Sequence, residues 1–107
     1  MQQVKPAGWV IAVMIETADD PAPVRHFYAI AKPDQQRAEW AAVDRATETG
    51  RVAMSPVHGL EPVEAVGFLT AAALGQMGLS AGGARLLGHR WPRRWLGAPT
   101  PRQDADG

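Results

Sequence analysis

Apolar residues crowd into runs in the first third of the chain. Trp9–Ile15 is a seven-residue apolar run rich in β-branched side chains and is ended by Glu16 and Thr17. A run of that length without polar alternation predicts a strand buried on both faces. Asp19, Asp20, Pro21, Ala22 and Pro23 follow; prolines cannot extend a sheet, so this stretch predicts a turn. Val24–Ala31 reads as a second strand, with His26, Tyr28 and Ile30 on one face and Arg25, Phe27, Ala29 and Ala31 on the other. The short connection makes the two strands an antiparallel hairpin. Should Trp9–Ile15 lie at a sheet edge, backbone pairing into a dimer would follow naturally.

The period then changes. Pro33 stops the strand and Asp34 is a suitable N-cap for the helix formers that follow it up to Ala46. Trp40, Val43 and Ala46 or Thr47 stand at helical spacing and are expected to form the buried face, with Gly50 as the C-terminal cap. Residues 51–55 read as a third strand halted by Pro56. Residues 62–69 fit either a fourth strand or, with Pro62 at its first position, the start of a longer helix. The strand is preferred, because Thr70 before three alanines and a leucine is a natural start for a short helix over Ala71–Met77. Gly75, Gly78, Gly82 and Gly83 break regularity, with Ser80 a candidate cap for a last turn near Arg85–Leu87.

These elements predict an α+β fold: a small antiparallel sheet that starts with a β-hairpin and one amphipathic helix packed on it. The order is β-β-α-β, then a strand or a helix, then a short helix. One domain is expected over residues 1–97, with its core at about 8–88 and a basic segment at 85–97. Proline-punctuated, polar residues 98–107 are expected to form a disordered, mobile tail.

Charge sharpens this picture. Residues 1–64 carry six Lys/Arg against nine Asp/Glu, whereas residues 65–103 carry five arginines and no acid. The formal net charge of zero therefore hides a dipolar chain. Arginine outnumbers lysine nine to two and alanine occurs 19 times, which reads as a GC-rich bacterial coding bias. Cysteine is absent, so disulfides, thiolate metal sites and cysteine nucleophiles are excluded. That is compatible with the cytoplasmic location expected here, and the N-terminal apolar run is too soon interrupted for a clear signal peptide.

Candidate chemistry is sparse. Gly78, Ser80 and Gly82 spell G-x-S-x-G, but a nucleophile elbow needs a strand before it and an acid and histidine after it. Here a helical stretch precedes, and no acid separates Ser80 from His89, so a glycine-rich turn is expected. His26, His58 and His89 stand 32 and 31 residues apart, with no local metal-ligand spacing. Of these, His58 is the one whose loop position makes it worth mutating. Glu61/Glu64 and Asp19/Asp20 are spaced for solvation or capping. No phosphate-binding loop is present. The twenty uncharged positions 65–84 with basic residues after them sketch a membrane span, yet five glycines, Gln76, Thr70 and Ser80 dilute it; a buried core element is expected instead.

What remains is HRWPRRWLG, residues 89–97. Arginines attract phosphate and tryptophans stack on bases, so Arg85, Arg90, Trp91, Arg93, Arg94 and Trp95 are the candidate binding residues. The same residues equally suit packing on the domain or pairing with its acidic part, within one chain or between two. The expected function is that of a non-enzymatic bacterial protein that binds another protein or itself. Weak nucleic-acid binding through the Arg/Trp segment is the alternative. No cofactor, metal or membrane partner is expected.

Overall fold

The computed structural model describes residues 5–88. It is an α+β fold in which five antiparallel strands and two helices alternate as β-β-α-β-β-α-β. The strands are β1 (Gly8–Glu16), β2 (Val24–Ile30), β3 (Arg51–Val52), β4 (Val63–Leu69) and β5 (Ala84–Gly88). The helices are α1 (Gln35–Ala46) and α2 (Ala71–Gln76).

β1 is the centre of the sheet, which is why its sequence is apolar on both faces. On one side it pairs with β2, from Trp9 opposite Ile30 to Ile15 opposite Val24, and β2 in turn pairs with β5. On its other side β1 pairs with β4 along Gly8–Val13 and with β3 at Ile15 and Glu16. The chain between β3 and β4 leaves and rejoins β1 at one residue: the Ala53 amide donates to the Met14 carbonyl (2.9 Å), and the Met14 amide donates to the Pro62 carbonyl (2.7 Å). Edge pairing through Trp9–Ile15 is therefore closed off, because both sides of that strand are already occupied. Among the described residues the edges are β5 on one side and β3 with β4 on the other.

Both long edges carry a β-bulge. The register skips Val66 in β4 and Leu87 in β5, and both extra residues pack on the same sheet face. Bulges of this kind twist an edge and discourage addition of a further strand.

Each face of the sheet has its own core. Val10, Ala12, Phe27, Ala29 and Leu69 face α2, which supplies Ala73 and Leu74 with Met77 just beyond it. Ile11, Val13, Ile15, Tyr28 and Ile30 face α1, which supplies Ala38, Ala42 and Ala46. Burial of a large aliphatic side chain is worth about 1.5–3 kcal/mol, so the fully buried Ile11, Ile15 and Ile30 are major contributors on the α1 side. Trp9 anchors the margin of that face. Its indole Nε1–H donates to the Pro33 carbonyl (2.8 Å), and its ring meets Phe68 edge-on at 6.2 Å.

Several expectations are met in detail and others are corrected. The Asp34 carboxylate does cap α1, accepting from the Arg37 amide, and the Thr70 hydroxyl caps α2, accepting from the Ala73 amide. Residues 63–69 are a strand. The third strand, however, is only two residues long. The turn expected near Arg85–Leu87 is strand β5, formed because Ala84–Gly88 pairs with β2 across the bulge. Gly50 is not a left-handed cap: a Cβ there would come within 2.5 Å of the Glu16 carbonyl oxygen, so glycine permits close approach to the end of β1. The buried face of α1 is also different. Trp40 is exposed, Val43 only half-buried and Thr47 exposed, while Ala38, Ala42 and Ala46 are sealed against the sheet. The large Ile and Tyr side chains of β1 and β2 fill that layer, so the helix fits only with its small side chains inward.

A candidate interaction surface on α1 and β4

Turning the alanines inward leaves a second stripe pointing out. Trp40 is 63% exposed, an unusual position for the largest side chain of the helix. Beside it Gln36, Glu39 and Val43 of α1 and Val63 of β4 line an open depression of about 280 Å³. Asp34 fixes the start of the helix and the alanine seam fixes its height above the sheet, so Trp40 stands on a rigid base. The rim is acidic and polar: Glu39 lies in the lining, accepting from the Gln35 side-chain amide at 3.1 Å. An aromatic on a rigid helix next to an apolar hollow is the kind of feature that anchors a protein interface.

Of the residues singled out in the sequence, Arg85 stands on β5 opposite Ala29, exposed, on the sheet face away from α1. Arg90, Trp91, Arg93, Arg94 and Trp95 lie outside the described residues. Residues 5–88 carry seven Lys/Arg against nine Asp/Glu, a net −2, so any electrostatic grip on phosphate rests on the segment that follows them.

The other candidates resolve into structural roles. The G-x-S-x-G string joins a helix to a strand, the reverse of a nucleophile elbow; Gly78 and Gly82 have positive φ, and the Ser80 carbonyl accepts from the Gly83 amide. His58 and Gly59 form the two central residues of a tight turn closed by reciprocal Val57–Leu60 hydrogen bonds of 2.9 Å. His26 sits half-buried on β2. Glu64 pairs with Arg25 at 2.8 Å and Asp20 accepts from the Thr17 hydroxyl. Among the described residues no group of three or more His, Asp and Glu is placed to hold a metal, and no helix is long and apolar enough to cross a membrane. A second hollow of about 350 Å³ lies between the β2–α1 and α2–β5 connections, near Lys32, Arg37 and Gly82; the Asp34 carboxylate in its lining is engaged in capping α1.

No family model matches the chain, and neither a curated protein nor a solved structure matches it.

Helical spacing places Trp40 in the core, whereas the structure leaves it exposed. The signal for the alternative is the alanine triplet at positions 38, 42 and 46, which has the same period and points elsewhere.

Proposed function

We propose that this chain is a non-enzymatic protein-interaction module whose contact surface is the outer face of α1 with the adjoining edge of β4. The observation that carries this reading is the exposed Trp40 beside the Val43–Val63 hollow. Tryptophan is enriched among the residues that dominate binding energy, and it buries a large area at little entropic cost. The bulged strands β4 and β5 favour contact through this side-chain surface over addition of a strand. The nucleic-acid alternative rests on Arg90, Trp91, Arg93, Arg94 and Trp95, which lie outside the described residues.

Site-directed photo-cross-linking in cells that produce the full chain tests the proposal. A photoreactive side chain at position 36 is expected to give protein adducts that disappear in Trp40→Ser. A probe at Asp20, in the β1–β2 turn, is expected to give none. Absence of adducts at position 36, or adducts indifferent to Trp40, would overturn the reading.

A further inference from the structure

Resting on that reading, we infer that the partner of the α1 surface is a second copy of the same chain, docked antiparallel about a two-fold axis beside Trp40. The case is one of self-complementarity. A two-fold contact brings one patch against itself, so the patch must hold both a projection and a recess, and charges of both signs at matched distances from the axis.

The outer face of α1 meets both requirements. Gln36, Trp40, Val43 and Thr47 follow one another at helical spacing and form a stripe turned away from the alanine seam. Within it Trp40 projects, and the hollow lined by Val43 and Val63 lies immediately beside it. Each copy therefore offers an indole and a place to lodge one. Arg37 and Asp44 are seven residues apart, so they occupy the same flank of that stripe, two turns from one another, and both are exposed. When an antiparallel copy is centred between positions 40 and 41, Arg37 of each chain faces Asp44 of the other. Two equivalent ion pairs then bracket the tryptophans. In a parallel arrangement this flank would instead meet the opposite flank of the partner helix, and Arg37 and Asp44 would not face one another. On the opposite flank Glu39 lies in the hollow toward Val63, where its carboxylate is engaged by Gln35.

The test is analytical ultracentrifugation of the full-length protein over a micromolar concentration series, with circular dichroism to verify folding of each variant. Wild type is expected to sediment as a dimer. Trp40→Ser is expected to raise the dissociation constant about thirtyfold or more, the scale of an interface hot spot. Arg37→Asp and Asp44→Arg, both at exposed positions, are each expected to weaken the dimer, and the double swap to restore it. A monomer throughout the series overturns the inference, while Trp40-dependent adducts to a different protein would still uphold the module itself. A dimer indifferent to Trp40→Ser, or single swaps without rescue by the double swap, would overturn the antiparallel arrangement.

Discussion

Arg25 on β2 reaches over the central strand to Glu64 on β4, placing a guanidinium nitrogen 2.8 Å from the carboxylate oxygen. In the register Arg25 lies opposite Met14 and Glu64 opposite Ala12, so the pair ties together the two strands that flank β1. The guanidinium also lies 5.2 Å from the Phe27 ring centroid. A small side chain at position 12 leaves room for this crossing. Ala12→Leu is expected to cost about 2–3 kcal/mol through overpacking of the α2 face, whereas Glu64→Gln is expected to cost about 1 kcal/mol or less, because that carboxylate is half in solvent. Urea midpoints of the two variants check the contrast; equal losses would mean that the ion pair, rather than the packing under it, holds this part of the sheet.

The alanine seam of α1 makes a second prediction. Ala38, Ala42 and Ala46 are all fully buried against isoleucines and Tyr28. Ala42→Leu is expected to destabilise the fold by about 1–3 kcal/mol, since the helix has no space to accept the added atoms without moving off the sheet. Trp40→Ala, on the other side of the helix, is expected to change monomer stability by about 0.5 kcal/mol or less, as for an exposed site. Thermal denaturation of the two variants ranks them, and the reverse order would restore Trp40 to the core.

These two positions also show what was legible in the sequence. The hairpin, the start of α1 at Asp34 and the strand–cap–helix succession at 63–76 were readable because each is written in local chemistry: β-branched runs, a carboxylate at an N-cap, a threonine before alanines. The choice of helix face was not, because two stripes of α1 share the same period. Hydrophobicity favours Trp40, but the volume left over by Ile11, Ile15, Tyr28 and Ile30 decides, and that is a tertiary quantity. The role of Gly50 is hidden for the same reason, since the backbone it must approach is 34 residues earlier, at Glu16. β5 is hidden by the glycines that precede it, Gly78, Gly82 and Gly83, and by a bulge that interrupts the alternation of its side chains. Composition accordingly points to the basic segment, whereas the most exposed aromatic of the described residues stands on the helix.

The turn after β3 holds a correctable strain. His58 has φ of 53° and Gly59 of 79°, the left-handed pair typical of two-residue hairpin loops. Asparagine tolerates that region better than histidine, so His58→Asn is expected to stabilise the protein by about 0.5–1 kcal/mol. Differential scanning calorimetry would register the gain. A lower melting temperature in the variant would instead point to a role for the imidazole beyond the turn.

Tyr28 makes the last prediction, and it is the chain's sole tyrosine. Its ring is buried in the layer beneath α1, and among the described residues its hydroxyl has no hydrogen-bond partner. Burial pushes the phenol above its usual value of 10.0; the nearby Arg45 opposes the shift and Glu48 adds to it. The sign of the pH effect follows. Below about pH 10 folded and unfolded chains both hold the proton, so the group adds no pH dependence. As pH rises past that value the unfolded chain loses the proton first, binds fewer protons than the folded chain, and gains stability relative to it. The fold is therefore expected to weaken in alkali, progressively up to the raised folded-state value. Tyr28→Phe removes both the titration and the hydroxyl that has no partner among the described residues. It is expected to leave stability at neutral pH unchanged or raise it by about 1 kcal/mol, and to flatten the alkaline loss. Tyrosinate absorbance reads this one residue directly in the wild type. A midpoint at or below the ordinary value, or a Tyr28→Phe variant destabilised by several kcal/mol, would show that the hydroxyl is solvated or bonded in solution.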